Sequence, residues 1–308
     1  MSKSSSPSSR KRGRRLRFAT ALLVLLSAVG YAAYHFLPGL TQSSGCTVRA
    51  DNRELTLELP QAANASTIAA VATSRGLPER ALAIALATSM QESGLQNLDH
   101  GDRDSRGLFQ QRPSQGWGTA AQIMDPVHAS NEFFNVLVKI KGYTRLPLTV
   151  AAQQVQKSGF PQAYAKHEAD ATLLASALGG RLSDALSCTA GAGAAPVTGG
   201  STAAVRKLLS REFGSQVAPR TAAQVRTVAV PTALPAGSGT ASQEQRRGWI
   251  LAQWAVAHAQ DLKVATVAYG NQQWSAVDSG GGWHKSDTRT SGNTASAAAG
   301  DVSITVAQ

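Results

Sequence analysis

Cysteine is almost absent: two in 308 residues allow at most one disulfide and cannot supply a cysteine-rich metal site. Acidic residues are missing from positions 1–17, where Lys3, Arg10, Lys11, Arg12, Arg14, Arg15 and Arg17 stand unopposed. Taking those seven charges from the formal +11 leaves +4 for the rest of the chain. A surplus that small excludes a nucleic-acid-binding face. Charge of either sign is also missing from "FATALLVLLSAVGYAAYHFL", residues 18–37. Twenty helical residues span about 30 Å, which matches a bilayer core. Composition therefore predicts a basic cytoplasmic tail over 1–17, a transmembrane helix over 18–37, and everything later outside the cell membrane. A cleaved signal peptide is the alternative, although no small-x-small cleavage site cleanly follows the apolar run. Ligand spacing is lacking too. His258 and His284 do not stand in a metal-binding pattern, and no cofactor is expected.

What is present divides the remainder. From Asn64 to Leu186 the pattern is helical, in "STIAAVATSRG", "PERALAIALATSMQE", "DPVHASNEFFNVLVKI", "LTVAAQQVQKSG" and "PQAYAKHEADATLLASALGG". Gly- and Pro-marked connections separate these segments, so 46–188 reads as a compact, mainly α domain. Residues 39–60 look like an extended lead-in, and the Ala/Gly-rich 189–200 reads as a linker. Residues 201–308 combine two helical segments with the strand-like "KVATVAYG", "QQWSAV" and "DVSITVAQ", a small α+β domain. Cys46 and Cys188 bracket the helical domain, which in an oxidising compartment reads as a disulfide. Two free thiols, or lipidation of Cys46, are the other readings; "SSGC" lacks the usual Leu three residues before the Cys.

Chemistry concentrates in "SMQESGLQNLDHGDRDSRGLFQQRPSQGWG", residues 89–118. The uncharged stretch before it should be a buried helix, with Glu92 emerging at its C-terminal end. Burial and the negative end of the helix dipole both favour the protonated carboxyl, the form a general acid requires. Gln110 and Gln111 offer amides suited to the hydroxyl and N-acetyl groups of amino sugars, and Trp117 offers a face for stacking or a surface anchor. Asp102 and Asp104, beside Arg103 and Arg106, are candidates for a second carboxylate, with Asp99 behind them. The same "HGDRDSRG" also reads as a plain Asp-rich turn.

"QESG" followed by "GLFQQ" resembles the Glu-Ser and Gly-Leu-Met-Gln motifs of lytic transglycosylases and goose-type lysozymes, and "FPQAYAK" stands where that superfamily has its Ala-Tyr motif. The wider stretch is similar to a group of membrane-anchored actinobacterial cell-wall proteins, over roughly Ser66 to Ser176. The resemblance implies a lysozyme-like domain in which Glu92 is the catalytic acid, Gln110 contacts substrate or positions the cleft, and Tyr164 lines it. One position departs: Ala165 replaces the family's Asn. The C-terminal part, "WAVAHAQDLKVATVAYGNQQWSA" with "DVSITV", resembles zinc-dependent D-alanine carboxypeptidases. Asp301 and Ser303 replace the ligand histidines there, which implies a metal-free relative used for binding or positioning.

The expected protein is thus a mainly α lysozyme-like domain after one transmembrane helix, with a small α+β domain behind it. It would act outside the cytoplasm on peptidoglycan glycan strands, at the β-1,4 bond between N-acetylmuramic acid and N-acetylglucosamine. Its other partners would be the membrane and envelope proteins, not nucleic acid. Hydrolysis and transglycosylation both stay open, as does a non-catalytic protein that binds peptidoglycan or assists envelope assembly.

Overall fold

A computed structural model of the protein describes residues 20, 22–32, 43–191, 198–222, 225–234, 239–286 and 300–308. Ser44–Ala190 and Ala195–Gln308 make one compact unit.

The unit begins with strands β1 (Gly45–Ala50) and β2 (Arg53–Leu57). Helices α1 (Leu59–Ser74) and α2 (Glu79–Ser93) follow. Glu58 caps α1 in a capping box with Gln61, and Pro60 fits its first turn. Both helices are buried nearly all round, as their Ala-rich, almost uncharged composition requires. Around them pack α3 (Ala120–Ile123), α4 (Pro126–Leu137, capped by Asp125), α5 (Leu148–Gln156) and α6 (Glu168–Leu178). Strand β3 (Leu186–Thr189) returns to β1, giving a sheet ordered β2-β1-β3 in which Cys46 lies directly opposite Cys188. The two sulfurs form a disulfide.

The C-terminal segment supplies α7 (Thr202–Phe213), β4 (Arg220–Thr221), β5 (Thr227–Pro231), α8 (Ala241–Ala257), α9 (Ala259–Leu262), β6 (Val264–Tyr269), β7 (Gln272–Ser275), β8 (Trp283–Lys285) and β9 (Asp301–Val306). Its strands form a six-stranded antiparallel sheet, ordered β4-β5-β9-β6-β7-β8. The last strand in sequence pairs with β5 on one side and β6 on the other. Its alternation puts Val302, Ile304 and Val306 into the core.

One hydrophobic core runs through the segments 46–188 and 201–308. Among the described residues, Glu212 and Gln253 are buried polar groups that join them. Glu212 of α7 accepts from Thr67 of α1 (2.9 Å) and from Trp254 of α8 (2.6 Å), with His258 Nε2 at 3.6 Å. Gln253 accepts from the Leu186 N–H (3.0 Å) and donates to the carbonyls of Ala177 (2.7 Å) and Leu182 (3.1 Å). Each of these amide and carboxylate groups is hydrogen-bonded, which makes its burial tolerable.

The fold expectation needs two corrections. Among the described residues no helix is long and apolar enough to cross a membrane. Within 18–37, residues 20 and 22–32 are described, and the run 22–32 is helical. At 1.5 Å per residue it rises about 16 Å, roughly half a bilayer core. The basic tail over 1–17 lies outside the described residues. The second correction concerns the mainly α description, because the molecule carries two antiparallel sheets. Residues read as a lead-in are β1 and β2, which pair with each other, and the pairing of β1 with β3 joins positions far apart in sequence.

Candidate functional site

Glu92 is placed by how α2 ends. Residues Ala81–Ser89 are buried, and the helix then rises to half-exposed positions from Met90 to Ser93. Gly94 stops it in the left-handed conformation (φ 62°), its N–H bonding to Met90 O at 3.1 Å. Helix α1 clamps this end: Gln61 donates to Gly94 O and Asn64 to Leu95 O, both at 2.8 Å.

The Gly107–Gln111 loop is fastened against the same turn. Ser89 and Ser93 both donate to Leu108 O, at 3.0 and 2.8 Å. Gln156 donates to Phe109 O at 2.8 Å, while the Phe109 ring stacks on Phe133 with centroids 4.7 Å apart. Gly107 has φ 75°, and a Cβ there would lie 2.7 Å from Ile123 O. Only glycine fits that position.

Tyr164 comes from the 3-10 turn Ala163–His167 and is fully buried. Its hydroxyl donates to Glu92 Oε1 at 2.8 Å. Burial, reinforced by Glu92 and opposed by Ser158, holds the phenol well above its usual range, so it remains a donor at any working pH. Glu92 Oε2 accepts no hydrogen bond among the described residues. One carboxyl oxygen is thus oriented and the other is left available. Beside this pair, Gln91 Oε1 meets His167 Nε2 at 3.2 Å.

The other candidate residues divide. Gln110 adopts φ 47° and turns its amide back onto the carbonyls of His100 and Gly107, both at 3.3 Å, bracing the loop. Gln111 is buried and donates to Ala129 O of α4 at 3.0 Å, a packing role. Trp117 is half-buried against the core, and its carbonyl meets His128 Nε2 at 3.3 Å. Asp102 has 92% of its side chain exposed, with Arg103 3.9 Å away. Asp104 is fully engaged, accepting from Arg112 Nε (2.7 Å), the Ser114 N–H (2.8 Å) and the Ser114 hydroxyl (3.0 Å).

Arg112 first, then Ser114, holds the Asp104 carboxyl well below the usual carboxylate range. A depressed folded pKa contributes stability above the unfolded value near 3.9, and the contribution fades as pH falls below it. Asp104→Asn should therefore be less stable than wild type at pH 7, with the gap narrowing as pH drops from about 5 toward 2. Urea unfolding at a series of pH values measures this; a gap that widens in acid would refute it.

Sequence reading missed Phe160. It is 78% exposed on the loop leading to Tyr164, held by Phe160 N–H to Ser158 Oγ (3.1 Å) and by Thr149 Oγ1 to Pro161 O (2.6 Å). Its ring offers an exposed aromatic face, and its place just before the Ala-Tyr motif was the available signal. In the C-terminal segment, Asp301 faces Arg220 at 3.9 Å, and His284 pairs with Asp278 at 3.5 Å. His258 belongs to the buried Glu212 cluster. Among the described residues no three His, Cys, Asp or Glu side chains gather as metal ligands.

Residues 228–297 match the family model described as VldE, C-terminal domain. The match covers less than a quarter of the chain and includes none of the residues around Glu92. No curated protein matches the chain.

Proposed function

We propose that the protein cleaves peptidoglycan glycan strands at the β-1,4 bond between N-acetylmuramic acid and N-acetylglucosamine, as a lytic transglycosylase. The observation that carries this reading is the Tyr164–Glu92 hydrogen bond at the end of the buried helix. It joins two of the resembling motifs, 72 residues apart, in one site. With Oε1 held by the Tyr164 hydroxyl, a proton on Oε2 stands free for the glycosidic oxygen. As that C–O bond breaks, Glu92 gives up the proton. The carboxylate then takes the proton of the muramyl C6 hydroxyl while the C6 oxygen bonds to the anomeric carbon, closing a 1,6-anhydro ring.

Direct hydrolysis calls for a second carboxylate about 5–9.5 Å from the acid. Asp104 is held by Arg112 and Ser114, and Asp102 stands in solvent, which favours the single-acid route. The disulfide supports action in an oxidising compartment outside the cytoplasm. Digestion of purified sacculi with the full chain, followed by mass analysis of released muropeptides, tests the proposal. Anhydromuramyl products are expected.

Tyr164→Phe keeps the ring and removes the donor to Glu92. As the proton leaves, Glu92 becomes a carboxylate, and a hydrogen bond to a charged group contributes about 1.5–3 kcal/mol, so kcat should fall by about ten- to a hundredfold with little change in KM. A rate within twofold of wild type would deny Tyr164 this positioning role.

A further inference from the structure

A cavity of about 410 Å³ opens beside α8, walled also by the α1–α2 turn, the end of α6 and the residues after α7. Its lining includes Glu79 at the start of α2, whereas Glu92 lies at the other end of that helix, about 20 Å away at 1.5 Å per residue. It is therefore separate from the proposed cleavage site. A volume of this size falls within the range of about 300–1,000 Å³ found for small-molecule sites.

The charges lining it do not cancel. Glu79 already has two cations, Arg181 at 3.0 Å and Arg246 at 3.2 Å. Arg246 is further fixed by donating to Gly179 O at 2.6 Å. Its carbonyl lies so near Gly180 that a Cβ there would come within 2.1 Å. Arg247 is different. It is half-buried, donates to Gln216 O, and pairs with no carboxylate among the described residues. Its Nε is shut off from solvent without a partner. Burial lowers its pKa, and no acidic neighbour acts in opposition. A half-buried guanidinium without an anion is unfavourable, and with Nη2 on Gln216 O and Nε enclosed, Nη1 is the donor left for a carboxylate or phosphate. Leu77, Pro78, Leu82 and Ile250 give the wall an apolar part, while Thr73, Gln216 and Gln243 add neutral polar groups.

We propose that this cavity binds a small organic anion, its acidic head on Arg247 and its apolar body against Leu77, Pro78, Leu82 and Ile250. Carboxylate and phosphate heads share the chemistry, so the test uses both. The full-length protein is titrated with hexanoate, hexyl phosphate, 1-hexanol and inorganic phosphate at fixed ionic strength, with binding followed by calorimetry or ligand-observed NMR. At least one hexyl anion should bind saturably, and about tenfold or more tighter than 1-hexanol and inorganic phosphate. Arg247→Gln should weaken that binding by about tenfold or more. Because it removes an unpaired cation, this variant should fold as stably as wild type without ligand. Thr73→Trp, which keeps Arg247 but fills the cavity from its rim, should weaken binding as well.

Glu92→Gln should bind the probes as wild type does, which separates this site from the cleavage reading. The proposal is overturned by absence of saturable binding of either hexyl anion up to about 10 mM. It is equally overturned if Arg247→Gln and wild type bind alike, or if 1-hexanol or inorganic phosphate binds as tightly as the anions.

Discussion

Glu92→Gln should lower muropeptide release by about 10²–10⁴-fold, the contribution typical of general acid catalysis, while glycan binding persists. Glutamine keeps the length of the side chain and can still accept the Tyr164 hydroxyl at its carbonyl oxygen. It cannot deliver a proton from the other position, so the leaving oxygen departs unprotonated. Asp102→Asn and Asp104→Asn divide the two possible chemistries. Asp102 is solvated and Asp104 is held by Arg112 and Ser114. Both variants should therefore keep near-normal rates under conditions where they are folded, with 1,6-anhydro ends throughout. Loss in either comparable to Glu92→Gln, accompanied by reducing muramyl ends, would replace transglycosylation with hydrolysis. If wild type and Glu92→Gln bind glycan equally and neither releases muropeptides, the protein is a glycan-binding module.

The second large effect concerns the disulfide. Cys46 and Cys188 are both buried and face each other across β1 and β3, closing a loop with a sequence separation of 142. In the chain-entropy model a loop of that length stabilises by about 4–5 kcal/mol through restriction of the unfolded chain. Cys46→Ala with Cys188→Ala should lose about that much in equilibrium urea unfolding, mostly as a lower midpoint. Alanine avoids burying a new hydroxyl, so packing loss adds little. Non-reducing peptide mapping of wild type should recover the two cysteines in one linked peptide. Two alkylatable thiols, or a double variant within about 1 kcal/mol of wild type, would show that the bond does not carry this stability.

Local chemistry made much of the helical part readable. A run from Ala81 to Ser89 without a charge has to be buried, and Gly94 is the residue that ends a helix in the left-handed conformation. The uncharged run by itself places Glu92 at a helix terminus, and the structure shows Gly94 as the residue that stops the helix there. The strands β6, β7 and β9 were readable for a similar reason, since branched and aromatic residues there stand between turn signals. An apolar run of twenty residues was a weaker guide, because composition alone does not establish an uninterrupted spanning helix, and 22–32 is the helical run described within it.

Everything that depends on distant partners waited for the tertiary structure. Gln110 and Gln111 are adjacent and identical in type, yet one braces a loop and the other is buried under α4. Asp102 stands in solvent while Asp104 is held, because Arg112 and Ser114 reach the second and not the first. The β1–β2 pair gained its third strand because β3 returns to β1 from more than a hundred residues away, and Glu212 became a core residue because α1 and α8 both donate to it. Residue type and spacing set what each side chain can do and which helix face it occupies. Which donor satisfies which acceptor is decided by packing between segments, because a buried polar group takes whichever partner the fold brings within about 3 Å.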